Sequence, residues 1–168
     1  MEKMKKAAET TEDMIKEMSK ETVDKIIRRH VYASTAVGFI PLPLVDIAGL
    51  TGVQLNMLRK IAKEYGVPFS EGTVKNILLS LFGGVFPPTH AFILASVIKI
   101  VPGLGQAAGI TAMPILAGAT TYAVGKLFAA HFAWGGDFTD FDSEKVKENY
   151  AKWFEEGKKV AAEVSSNK

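Results

Sequence analysis

No cysteine occurs among the 168 residues. Disulfides, thiolate metal sites and a cysteine nucleophile are therefore excluded, while the compartment stays open. A second shortage is more telling. Between Val31 and Gly136 the only charged residues are Arg59, Lys60, Lys63, Lys75, Lys99 and Lys126 against Asp46, Glu64 and Glu71. Both flanks, by contrast, are dense with Lys, Glu and Asp. A domain standing free in water spreads such residues over every helix. This central tract has little with which to face water, so lipid or further copies of the chain must cover it. Nucleic acid is excluded as a partner, because the net charge is only +2 and no basic cluster carries interleaved aromatics. The opening Met1-Glu2-Lys3-Met4-Lys5-Lys6 leads into more charge, and no secretory signal is expected.

Signatures of chemistry are also scarce. No GxxxxGK[ST] run exists, so nucleotide cannot be held by a P-loop of this chain. The segment Gly103-Leu104-Gly105-Gln106-Ala107-Ala108 loosely matches a dinucleotide fingerprint. It lacks a βαβ context, and no acidic residue follows before Asp137, so a helix-starting turn explains it better. His30, His90 and His131 show neither HxxxH nor HExxH spacing. Asp137, Asp140 and Asp142 follow Gly135-Gly136 without the order of a calcium loop, and a helix entrance accounts for them. The expectation is no catalytic residue, no metal and no cofactor.

Helical periodicity is what the chain does have. Residues 3–29 place Met14, Met18, Val23, Ile26 and Ile27 at helical spacing among alternating charges. Such a helix either docks on the body or lies on a membrane surface. Residues 143–164 read as a second charged helix with Asp142 or Ser143 as N-cap and Tyr150, Trp153, Phe154 and Val160 on its apolar face. Between them lie three apolar tracts, Val31–Leu58, Asn76–Ile98 and Ile100–Gly125, each long enough to cross a bilayer. Prolines interrupt all three: Pro41 and Pro43, Pro87 and Pro88 beside Gly83-Gly84, and Pro102 with Pro114. Shorter helices are predicted near 31–40, 44–65, 73–85, 88–100, 104–113 and 114–132. The fold class is all-α, with broken apolar helices in a hairpin or bundle. Its regions are an amphipathic helix over 1–29, a membrane-associated core over 30–136, and an acidic loop with amphipathic helix over 137–168.

Small residues are the expected packing surfaces. Gly105 and Gly109 form a GxxxG continued by Gly118 and Gly125, and Gly49, Gly52 and Asn56 make a second stripe. A hairpin turning at Pro41-Leu42-Pro43 and a crossing by 76–98 would leave most Lys and Arg on one side. That arrangement satisfies the positive-inside rule with both termini cytoplasmic in a bacterial inner membrane; a cytoplasmic assembly is the alternative. Asp46 stands out as a carboxylate within an apolar run. It either occupies the first turn of the helix begun by Pro43 or marks a partner, ion path or polar network. Gln54 and Asn56 extend a polar seam, and Lys99 is the other isolated charge.

The ordered pieces resemble a known group of domains. They are His30-Val31-Tyr32-Ala33, Gly38-Phe39-Ile40-Pro41-Leu42-Pro43-Leu44-Val45-Asp46-Ile47-Ala48, Gln54–Leu58 and Ala62–Pro68. Later pieces are Lys99–Gln106, Ala119–Gly125, and Gly135-Gly136-Asp137-Phe138 with Phe141-Asp142. Over roughly residues 28–160 this resembles an uncharacterised hydrophobic bacterial domain family found fused to, or encoded with, small Era-like GTPases and also standing alone. The resemblance implies membrane association and a small GTPase acting in trans, and it carries over no catalytic residues. The resulting expectation is a non-enzymatic, membrane-associated protein that self-assembles and serves as a scaffold. One alternative is a homo-oligomeric shell, ring or lipid-carrying particle with the apolar core between subunits. Another is a channel or transporter subunit with Asp46 on its path.

Overall fold

A computed structural model describes residues 2–40, 43–84 and 106–166. Its helices are α1 (Glu2–Val37), α2 (Pro43–Glu64), α3 (Glu71–Gly84), α4 (Gln106–Ala133) and α5 (Lys147–Ser166). Among the described residues there is no strand, and the chain is all-α.

Local chemistry explains each boundary that is seen. Pro43 occupies the first position of α2, where its missing N–H costs nothing. At the far end Gly66 adopts φ +67°, Gly66 N–H donates to the Lys63 carbonyl, and Val67 N–H donates to the Ala62 carbonyl at 2.8 Å. This is a Schellman stop, and it requires a residue tolerant of left-handed backbone. Helix α4 ends the same way: Gly135 has φ +85°, its N–H reaches the Phe132 carbonyl, and Gly136 N–H reaches the His131 carbonyl. Asp142 Oδ1 accepts from Glu144 N–H at 3.0 Å and caps the turn that leads into α5.

Two predicted breaks are corrected. The helices expected over 3–29 and 31–40 are one, because Arg28-Arg29-His30-Val31 contains nothing that interrupts a helix. The helices expected over 104–113 and 114–132 also merge, since α4 passes through Pro114. The ring costs α4 one ladder hydrogen bond there. Gly38 makes room for that turn, for a Cβ on Gly38 would lie 2.6 Å from Pro114 Cα. The final helix begins at Lys147, four residues later than predicted. Pro41, Pro87, Pro88, Pro102 and the predicted helix 88–100 lie outside the described residues.

Helix α4 forms the axis of the bundle, packing on α5, α1 and α2, while α3 packs on α2. It is apolar around its circumference, which is the mark of a helix enclosed on every side. Ala123, Val124, Leu127, Phe128 and Phe132 are buried there against Val23, Ile27 and Val31 of α1 and Met57, Leu58 and Ile61 of α2. Each of these side chains larger than alanine contributes roughly 1.5–3 kcal/mol. At the lower end Phe128 stacks on Phe141 with centroids 4.4 Å apart, and Phe138 packs edge-on to Phe132 at 5.0 Å. Those contacts fold the 134–146 segment back over the end of α4.

Glycine sets how closely the neighbours approach. A Cβ on Gly118 would fall 2.6 Å from Thr35 Oγ1, and one on Gly125 would fall 2.8 Å from Ile27 Cγ1. On α5, a Cβ at Gly157 would meet the Ala119 carbonyl at 2.9 Å and Ala119 Cα at 3.0 Å. That neighbour is backbone and cannot step aside. At Gly52 nothing lies within 4 Å, so this predicted packing position has no partner within the described chain. Among the described residues no helix is long and apolar enough to cross a membrane.

The contrast is measurable by urea unfolding. Gly157→Ala should cost about 1–3 kcal/mol through overpacking. Gly52→Ala, in an open helical position, should stabilise by about 0.5–1 kcal/mol.

Candidate functional site

Three adjacent arrangements carry the polar groups of the described core. The first is a buried seam where α1, α2 and α4 meet. Ser34 Oγ and Thr121 Oγ1 are 2.6 Å apart, and Gln54 Nε2 donates to the same Thr121 oxygen at 3.4 Å. Gln54 is 0% exposed, and its Oε1 has no hydrogen-bond partner among the described residues; neither does Thr35 Oγ1. Beside this seam His30 Nδ1–H donates to the Ile26 carbonyl at 2.7 Å. That bond leaves Nε2 as the acceptor for Asn56 Nδ2 at 3.3 Å. Burial lowers the His30 pKa, Lys60 lowers it further, and the Ile26 bond opposes both. The imidazole is therefore neutral at neutral pH. Through Ile26 and Asn56 the ring ties α1 to α2.

The second arrangement clasps the loop after α4. His131 Nε2–H donates to the Asp137 carbonyl and to Asp140 Oδ1, each at 2.9 Å. Asp140 Oδ1 also accepts from Asp137 N–H at 2.8 Å, and Asp137 Oδ1 accepts from Thr139 N–H at 2.6 Å. A Cβ at Gly136 would collide with the His131 ring, so only glycine lets the ring close on the loop. The Asp140 carboxyl is lowered first by the Asp137 amide and then by His131; the Asp137 carboxyl is lowered chiefly by Thr139. His131 Nε2, Asp137 Oδ1 and Asp140 Oδ1 are all engaged within the loop. No group of three His, Asp or Glu residues among the described residues is arranged to hold a metal ion.

The third is a groove of about 820 Å³ between the first half of α1 and the end of α4. Val23, Tyr65, Ala129, Phe132, Ala133 and Trp153 make its floor, and Asp13, Lys16, Glu17 and Lys20 make one wall. Asp24 and Lys126 close it with an ion pair of 2.7 Å. Burial raises the Tyr65 hydroxyl pKa, and Asp24 adds to the effect. Nearby, Tyr122 donates to Glu156 at 2.6 Å; burial and that carboxylate keep the phenol protonated well above its usual range.

The predicted site residues are thus dispersed. Gln54 points inward to Thr121, whereas Asn56 is exposed and meets His30. They do not share one seam. Asp46 falls in the first turn of α2, and its side chain lies outside the described residues. Lys99 and Gly105 also lie outside them, and Gly109 is in the first turn of α4. Sequence reasoning missed Ser34, Thr121 and the groove. The signal available was two adjacent hydroxyl pairs, Ser34-Thr35 and Thr120-Thr121, inside a tract nearly free of charge.

Comparison with known proteins adds two findings. The model of a family described as "Domain of unknown function (DUF697)" matches residues 3–159. Magnetosome membrane protein 22 of Magnetospirillum gryphiswaldense is 37% identical over 146 residues, covering 86% of this chain and 75% of that protein. No solved structure matches.

Removing the seam's shared oxygen by Thr121→Val should cost about 1–2 kcal/mol, whereas Gln54→Met should lie within about 1 kcal/mol of the parent. Equal losses from both changes in urea unfolding would assign Gln54 a role that its bonding does not show. In the clasp, both aspartates contribute stability above the usual carboxyl range and lose it as pH falls through their lowered values. Carbon-detected NMR should place the Asp140 midpoint below that of an ordinary aspartate. The midpoint should move upward in His131→Gln.

Proposed function

This chain belongs to the DUF697 family of domains of unknown function, and from that premise we propose that it is a membrane-associated helical module without catalytic chemistry of its own. It self-assembles and presents its charged helices on the cytoplasmic side as a platform for a partner. A small GTPase acting in trans is the partner class that the family resemblance implies. The single observation that carries the reading is the extended likeness to a magnetosome membrane protein, which runs along 86% of the chain.

Physical chemistry supports it from two directions. Most of the polar groups described above bond to one another across helix contacts, and among the described residues no nucleophile is set beside a base. From Asn76 to Gly125 the sequence holds one charge, Lys99. From Met113 to Gly125, the α4 part of that tract is largely buried against the chain's own helices. The remaining apolar sequence, 85–105, supplies the residues that lipid would cover.

A second reading is favoured by the described helices, none of which is long and apolar enough to cross a membrane. In it, copies of the chain cover one another and form a discrete oligomer. Expression of the full chain followed by a carbonate wash of the membranes separates the two. Retention in the membrane pellet with release by detergent is the expected result. A discrete oligomer in the wash supports the second reading, and a detergent-free monomer in plain buffer contradicts both.

A further inference from the structure

The first half of α1 is a helix without a home. From Asp13 to Thr22 every residue is exposed except the half-buried Ser19. Met14, Ile15 and Met18 are exposed to 61%, 61% and 66%. A helical stretch of this length is marginal in water unless one face is packed. Its cost is not offset within the described chain, because no ion pair joins Asp13, Lys16, Glu17 or Lys20 to another described residue. Yet the groove that this helix overhangs leaves the apolar surfaces of Tyr65, Ala133 and Trp153 partly exposed.

We infer that the groove seats the same helix of a second copy, running antiparallel to this α1 and related to it by a twofold axis. The inference rests on the self-assembly in the proposed function and names its surface. Charge order is the argument. Asp13, Lys16, Glu17 and Lys20 recur at helical spacing along the wall, in the order minus, plus, minus, plus. Read antiparallel about a point between Lys16 and Glu17, the row is its own complement. Asp13 stands opposite Lys20 of the second copy, and Lys16 opposite its Glu17, with each pairing made twice. A parallel arrangement would instead set like charges abreast. Such self-complementarity is what a closed twofold interface demands.

The apolar residues fit the same placement. Met14 and Met18 lie on a different side of α1 from the charged row and are not part of the groove wall. A helix wedged into the groove with its charged row against the facing row brings that methionine edge within reach of the partly exposed Tyr65, Ala133 and Trp153. Methionine suits an irregular floor of mixed aromatic and small residues. Net charge argues against an anionic bilayer as the occupant: residues 2–22 hold five lysines against six acidic residues. The mixed signs suit a facing helix with the same mixture.

The test uses the full chain, in detergent where membranes retain it, with sedimentation equilibrium as the readout. The parent protein should be a dimer or a multiple of one. Asp13→Lys and Lys20→Glu should each weaken association about tenfold or more, because each sets like charges face to face twice. An equimolar mixture of the two variants should recover parental affinity. In the mixed pair the introduced lysine faces the introduced glutamate, and the unaltered Asp13 of one copy faces the unaltered Lys20 of the other. Met14→Ser with Met18→Ser should also dissociate the pair while leaving circular dichroism unchanged, as both side chains are exposed in the single chain. An oligomer indifferent to all these changes overturns the interface and leaves self-assembly standing. A monomeric parent overturns both. Loss of binding to phosphatidylglycerol vesicles by the methionine variant, with its oligomer intact, overturns the interface and gives that edge to the membrane.

Discussion

Everything in the described structure depends on how closely neighbouring helices approach α4. A helix that is apolar all round and carries Lys126 as its one formal charge after Gln106 has no side to offer water. It is stable only if helices enclose it. Gly118 and Gly125 let α1 and α2 come in from one side, and Gly157 lets α5 come in from the other. Small residues at these contacts replace side-chain interdigitation with backbone proximity, which gains dispersion contacts over a long interface. Lys126 is accommodated at the rim by Asp24. The charged flanks consequently wrap the apolar centre: α1 and α5 turn Val23, Ile27, Tyr150 and Ala161 inward and leave their Lys and Glu outside.

The ends of α4 connect this packing to function. At its lower end the Gly135 stop and the His131 clasp fold an aromatic cluster back over Phe128 and Phe132. The same turn of helix supplies Ala129, Phe132 and Ala133 to the groove. Packing that encloses α4 therefore also builds the surface beside α1 that remains open. In the middle of the bundle, the bonds that Thr121 makes to Ser34 and Gln54 tie α4 to α1 and α2 and so help specify helix register.

Much of the fold was legible from pattern. The all-α class followed from helical periodicity, and the ranges 44–65 and 73–85 match α2 and α3 to within two residues. The misses have physical causes. Pro114 looked like a break because sequence shows the lost hydrogen bond but not Gly38, distant in the chain, which makes room for the ring. Met14 and Met18 are exposed in the folded chain, and periodicity alone cannot distinguish an edge that packs within the chain from one left for another molecule or a membrane. Gly118 and Gly125 were recognised as packing residues, yet they serve contacts within the chain. Gly157 was hidden among charged neighbours in α5. The seam was half visible: Gln54 was singled out, while its partner Thr121 sits 67 residues away and only folding pairs them.

Hydrogen–deuterium exchange on the folded chain tests the central claim most directly. If α4 is the enclosed axis, amides from 115 to 132 should exchange only through global unfolding, and more slowly than those of residues 13–22 by several orders of magnitude. Exchange of the α4 amides at the rate of the exposed half of α1 would contradict the account.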